Sequence, residues 1–247
     1  VPTPAANAPE TADISTGADG ELDDAVRQSD PDRWLASRFI ADPSARSDVI
    51  ALYAFDHQLA RAGRVASSSL IAEIRLTWWL EALDEAFGAG PVRAHPVSRA
   101  LASVIARRTL PRAPLEAMVL ARIAVLDQPG LDAAQASAWA QGVGGSAARL
   151  AALILDPRSP SGAAEPAGRL WGLRRLSGLR LADPGDIAGL IRAALPSARL
   201  EARRLSPRAF PAVAHATLAR GDVRGTKRES ELTQRCRLLW AVATGAL

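Results

Sequence analysis

Leu52-Tyr53-Ala54-Phe55-Asp56-His57-Gln58-Leu59-Ala60-Arg61-Ala62-Gly63-Arg64 is the stretch whose reading decides the fold. It continues a stripe in which Val49, Ile50, Tyr53 and Ala54 recur at i, i+1, i+4 and i+5, the spacing of one helix face. Asp42-Pro43-Ser44 starts that helix and Gly63 marks its end. The next segment opens on the cap Ser67-Ser68-Ser69 and runs from Leu70 to Phe87. Ile71, Ile74 and Trp78 mark one face, and Leu76, Trp79, Leu83 and Phe87 widen it. A helix apolar over most of its circumference is expected at the centre of the molecule.

The same signals repeat outward. An Asp30 cap precedes Pro31 at a first helical position, with Trp34, Leu35, Phe39 and Ile40 on one face. Further helices are expected from Pro96 and after Pro114, then over 131–155, 167–181, 187–204, 210–220 and 229–243. Gly142, Gly144 and Gly145 interrupt the 131–155 segment. Each glycine costs about 0.8–1 kcal/mol relative to Ala in a helix interior, so they imply a kink or a close backbone approach. Residues 156–166 read as a Pro/Ser/Gly loop, and no β-alternation or internal repeat occurs. The expectation is an all-α fold, one helical domain over 30–247 with about ten helices. Residues 1–29, without apolar periodicity, read as a disordered leader that is neither a secretory signal nor a mitochondrial presequence.

Composition agrees with helices. Apolar residues make up 48% of the 247, dominated by Ala and Leu. The isoelectric point near 10.4 reflects arginine more than charge, since 30 basic and 26 acidic residues give only +4 and Lys227 is the sole lysine. No nucleic-acid partner is expected on that balance. A single cysteine, Cys236, excludes an internal disulfide and a Cys-based zinc site, and reads as a small buried filler. No apolar run reaches the ~18 residues of a membrane span. A bacterial cytoplasmic protein is expected, with peripheral contact at the inner membrane left open.

In order and spacing, Leu52-Tyr53-Ala54-Phe55, Trp78-Trp79 and His95-Pro96-Val97 resemble the squalene/phytoene synthase family. Its members read Tyr-Ala-Phe-Cys-Arg-x-x-Asp-Asp-x-Val-Asp at the first of these. The resemblance implies an isoprenoid synthase type fold around a central cavity. In active members it also implies two Asp-rich helices that hold magnesium while an allylic diphosphate ionises. Carboxylates one turn apart place two hard oxygen ligands on one face. Here Ala60, Arg61 and Arg64 stand where those aspartates fall. The second motif, set against residues 172–183, retains only Asp183, the Gly-Arg-x-Tyr-Leu-Pro segment is absent, and Leu80 replaces the arginine that follows the tryptophan pair. At an effective dielectric near 20, unit charges about 4 Å apart interact by roughly 4 kcal/mol, so these arginines oppose a metal. The expectation is a pseudoenzyme with no catalytic residue, no metal and no cofactor.

Other acids read differently. Glu81, Asp84 and Glu85 suit a solvated helix face, Asp183 and Asp186 flank the turn Pro184-Gly185, and Asp56 suits pairing with an arginine. His57, His95 and His215 have no spacing of a metal triad or nucleophile relay. The candidate cavity or anion-binding residues are Tyr53, Asp56, His57, Arg61, Arg64, Trp78, Arg174, Arg175 and Asp183.

Three functions remain. The pattern Phe55-x-x-x-Leu59-Ala60 is similar to that of the non-catalytic branch of the family that serves mitochondrial complex I assembly, which implies a protein partner among respiratory-complex subunits. The second is an active prenyltransferase using magnesium on unusual ligands. The third is a carrier of a prenyl or lipid phosphate, with Arg61, Arg64, Arg174 and Arg175 as a cradle in place of metals.

Overall fold

The helix carrying Tyr53 is α3 (Pro43–Arg64), and the molecule is built around it. In this computed structural model residues 11–64, 66, 68–179, 181–219 and 231–247 are described. Every residue from Val49 to Asp56 is buried, so α3 meets neighbours on all sides over two turns. Those neighbours are α1 (Thr11–Ser29), α2 (Pro31–Ser37), α4 (Ser69–Asp84), α5 (Pro96–Arg108), α6 (Arg112–Ile123) and α8 (Ser146–Leu155). In a second group, α7 (Ala133–Ala140) and α10 (Pro184–Ala202) pack on α9 (Glu165–Leu179), which in turn packs on α8. Two short tight turns, Phe210–Ala212 and Ala214–Leu218, then precede α11 (Glu231–Thr244). Among the described residues there is no strand, and the chain is all-α as expected.

Local signals operate where the sequence places them. Asp30 accepts from the Arg33 backbone N–H at 3.2 Å and Ser68 from that of Ile71 at 3.3 Å, each capping a helix. In α10, Ile187, Ile191, Ala194, Ala198 and Ala202 form one buried stripe. Between α7 and α8 the helix widens over Gln141–Gly145, where i to i+5 bonding brings it against α9. A Cβ on Gly144 falls 2.2 Å from the Gly168 carbonyl oxygen, and one on Gly172 falls 2.7 Å from that of Ala140. The close approach implied by these glycines is present.

Four expectations need correction. Residues 11–29 form α1, and Leu22 and Val26, one turn apart, are buried against the core. Asp23 accepts from Trp34 Nε1 at 2.8 Å and pairs with Arg38, fixing α1 to α2. Two apolar residues are too few to register as periodicity, yet suffice when α3 supplies the opposing surface. The remainder of the expected leader, residues 1–10, lies outside the described residues, as do residues 220 and 229–230 of the last two expected helices. Next, α4 is not central. Ala72, Leu76, Trp79 and Leu83 are buried, but Leu70 and Ile74 are 64% and 60% exposed. Leu70 and Ile74 widen the apolar part of the helix without being covered by the described chain, so the breadth of that part does not by itself place a helix at the centre. Third, residues 210–218 form two tight turns instead of one helix, with Pro211 at the start of the first. Last, Cys236 is exposed, on the outer side of α11 beside Leu232, Leu239 and Trp240.

Candidate functional site

A buried charge network lies where α2, α3, α6 and α9 converge. Arg33, only 2% exposed, lies between the Tyr53 ring, 4.4 Å from its centroid, and the Trp171 ring, at 4.0 Å. It donates to Asp30, its own helix cap, and to Asp56. Asp56 also accepts from Arg122, which donates to the Met118 carbonyl at 2.7 Å. Arg175 reaches Asp30 at 3.1 Å and stacks 4.7 Å from Trp171. Such guanidinium–carboxylate bonds are among the strongest available in a protein.

The electrostatics follow from this packing. Burial works against the charge of Asp56, but Arg33 and Arg122 outweigh it and hold the carboxyl well below the usual carboxylate range. Burial pushes the Tyr53 phenol up, against the opposing pull of Arg33. His57 is half-buried, and burial followed by Arg64 and Arg175 lowers its basicity.

Beside the network opens a cavity of about 290 Å³. Leu59, Ala60, Gly63 and Arg64 of α3 form one wall, and Leu76, Val125, Leu126, Trp139, Leu179 and Leu181 make the rest apolar. Arg64, Arg122 and Arg175 supply its charge, and among the described residues no carboxylate lines it.

The residues singled out by sequence separate into several places. Arg64 and Arg175 meet at the cavity, with Arg122 as a third cation. Tyr53 and Asp56 are buried in the charge network and do not line the cavity. Arg61 and Trp78 line a different groove, between α3 and α4. Arg174 pairs with Asp32 and lines neither opening, and Arg61 lies in the other groove, so the expected four-arginine cradle does not form. Asp183 accepts from the Asp186 backbone N–H at 3.4 Å and its carbonyl from that of Ile187 at 3.1 Å, as a helix-start residue does. Glu81 and Glu85 both meet Arg93, and Asp84 meets Arg112. Among the described residues no three His, Cys, Asp or Glu side chains are grouped to hold a metal ion.

Sequence alone singles out none of Arg33, Arg122 and Trp171, and it gives His215 no role. Arg122 had a signal, because Leu115, Met118, Val119 and Arg122 share one stripe and three of the four are apolar. A charge on an apolar stripe must find a buried partner. Arg33 had none beyond its place three residues after a cap.

His215 carries a test of this interior. It is 2% exposed, packs edge-on to Trp171 at 5.5 Å, and its Nδ1 has no hydrogen-bond partner among the described residues. Burial, then Arg33 and Arg174, hold the imidazole neutral well below its ordinary 6.5. The unfolded chain takes up the proton that the folded chain refuses, so this share of stability is complete above that pH and declines as pH falls below it. His215→Phe is expected to flatten the fall in urea midpoint between about pH 6.5 and pH 5. An unchanged slope would show that His215 does not titrate as described.

A sequence profile of the squalene/phytoene synthase family matches residues 26–174. The chain is similar to squalene synthase HpnC from Alicyclobacillus acidocaldarius, with TM-score 0.65 and 15% identity over 94% of this chain and 96% of that one. It is also similar to a dehydrosqualene synthase solved with a ligand, with TM-score 0.64 and 15% identity over 95% and 98%. Both likenesses establish the all-α isoprenoid synthase fold. A further relative is the NADH dehydrogenase (ubiquinone) complex I assembly factor 6 homologue of Dictyostelium discoideum, 26% identical over 111 residues, which is 44% of this chain. That match spans 31% of the relative's own length. With the profile covering more than half of its residues, the chain belongs to the squalene/phytoene synthase family.

Proposed function

We propose that this chain is a non-catalytic member of the family, an assembly or interaction factor whose partners are subunits of a respiratory complex of the complex I type. The observation that carries the reading is the cavity, apolar and bordered by Arg64, Arg122 and Arg175. Magnesium is a hard ion that takes oxygen ligands, and ionising an allylic diphosphate needs that charge. The side chains here do not fit it. Ala60 and Arg64 occupy the wall that faces the cavity, and Asp56 already accepts from two arginines in a fully buried position. The likeness to an assembly factor supports the choice of partner, and a place in the cytoplasm, peripheral at the inner membrane, goes with it. Among the described residues no helix is long and apolar enough to cross a membrane.

A second reading has one observation in its favour. Three guanidinium groups around an apolar cavity suit an amphiphile with a phosphate head, bound without metal. It is compatible with an assembly role in which the lipid is structural.

The test is a deletion in the native host combined with tagged purification. Loss of assembled complex I, with its subunits recovered on the tagged protein, is expected. Normal complex I in the deletion strain and no respiratory subunit on the tagged protein would contradict the proposal.

A further inference from the structure

Ile74 and its neighbours form an apolar surface that the described chain leaves open. Between α3 and α4 runs a groove of about 360 Å³ floored by Trp78, Trp79 and His95. Ile74 forms one wall, and Arg61 and Arg75 stand on it from α3 and α4 respectively. Leu70 and Ile71, 64% and 37% exposed, extend the apolar stripe beyond it.

The floor is rigid. Trp78 and Trp79 meet edge to face at 4.9 Å, Trp79 meets His95 at 5.1 Å, and Phe55 backs Trp79 at 5.4 Å. Arg93 packs on Trp78, 4.3 Å from the ring centroid, and donates to the Trp78 carbonyl at 2.9 Å. Glu85 fixes that arginine through its side chain and its backbone N–H. At the floor, His95 Nδ1 is buried and without a hydrogen-bond partner among the described residues. The charges lining the groove have one sign, since among the described residues no carboxylate lines it. Of the acids over residues 73–85, Glu81 and Glu85 meet Arg93 and Asp84 meets Arg112, while Glu73 is exposed outside the lining.

We propose that this groove is the docking site for an amphipathic helix of a protein partner, one whose apolar stripe is flanked by carboxylates. From Leu70 to Trp78 the stripe extends roughly 12 Å at about 1.5 Å per residue, two turns of a helix laid along it. Apolar side chains at i, i+3 and i+4 enter between Ile74 and the tryptophans, as in helix-in-groove recognition. Glutamates on either side of that stripe reach Arg61 and Arg75, which stand on different helices. The concave floor distinguishes this site from a membrane-binding face, since a bilayer surface meets the rim and leaves Trp79 and His95 uncovered. The inference rests on the interaction-factor reading and specifies the chemistry of its partner.

The experiment titrates the full chain, by tryptophan fluorescence, with a synthetic peptide of about 18 residues built from Leu, Ala and Glu with a single apolar stripe. A counterpart with Lys in place of every Glu and vesicles of phosphatidylglycerol are the other two probes. The Glu peptide is expected to bind at least about tenfold more tightly than the Lys peptide. Ile74→Glu is expected to weaken it at least about tenfold, and the Arg61→Glu, Arg75→Glu double variant to reverse the preference. All three positions are exposed, so melting curves are expected to match the parent, and the arginine variant alone suffices if Ile74→Glu does not fold. Equal affinity for the two peptides, binding insensitive to these variants, or no binding to either peptide would overturn the proposal. Vesicle adsorption lost in Ile74→Glu, without peptide binding, would overturn it in favour of a membrane face. Failure here with complex I still lost in the deletion strain removes only the groove, whereas peptide binding with normal complex I removes only the respiratory partner.

Discussion

Replacing Asp56 by Ala is expected to lower stability by about 3–5 kcal/mol, among the largest effects of any single substitution in this chain. Asp56 is fully buried and accepts from Arg33 and Arg122, themselves 2% and 7% exposed. Without the carboxylate, two guanidinium groups remain in a dry interior with Asp30 as the nearby anion, and Asp30 is already shared with Arg175. Arginine does not escape by losing its proton. A domain of this size loses roughly 2–4 °C of melting temperature per kcal/mol, so a drop on the order of 10 °C follows. Asp56→Asn keeps the shape and removes the charge, and is expected to recover only part of the loss. The pH dependence has a defined sign. The folded carboxyl is held below its unfolded value by the two arginines, so its contribution is complete above about pH 4 and is lost as pH falls toward the folded value. In Asp56→Asn that acid limb is expected to shrink. Chemical denaturation across pH measures both effects, and a loss under 1 kcal/mol (roughly, within the range of surface substitutions) would show that the network is not held as described.

Gly168→Ala is expected to cost at least about 3 kcal/mol, at or above the upper end of ordinary overpacking. The added Cβ falls 2.2 Å from the Gly144 carbonyl oxygen and 2.5 Å from Ala148 Cβ. The first of these is backbone, which cannot rotate aside as a side chain does. Either α9 separates from the widened turn at Gln141–Gly145 or that turn refolds, and both disturb the wall that carries Arg175. Gly178 on the same helix is the matched control. A Cβ there meets nothing within 4 Å, and Gly178→Ala is expected to be neutral or to stabilise by about 0.5–1 kcal/mol through helix propensity. Equal thermal shifts in the two variants would contradict the close approach.

These two sites differ in how far the sequence reveals them. The glycines at 142, 144 and 145 announce a close contact because their helix-breaking cost demands a reason, though not which helix approaches; Gly168 gives no such sign. The all-α architecture is legible because caps and apolar stripes are local, and the family resemblance rests on residues of α3, α4 and the start of α5 that lie together. What sequence does not show is pairing across the fold. Asp56 reads as a partner for some arginine, but Arg33 lies 23 residues away and Arg122 lies 66 away, and no local rule selects them. The cradle of four arginines fails for a related reason. Arg61 and Arg64 are adjacent on a helix yet face different openings, and Arg174 and Arg175 diverge in the same way. The stretch before residue 30 illustrates the opposite error, since Leu22 and Val26 are a weak signal alone and a sufficient one against α3.

The proposed role requires that the cavity of this family member lack the metal chemistry of a synthase. Diphosphate release from farnesyl or geranylgeranyl diphosphate, followed with magnesium and again with a chelator, tests it most directly. No release above the protein-free blank is predicted in either condition. Sustained magnesium-dependent release that the chelator abolishes would contradict the account and restore the chain to the catalytic members of its family.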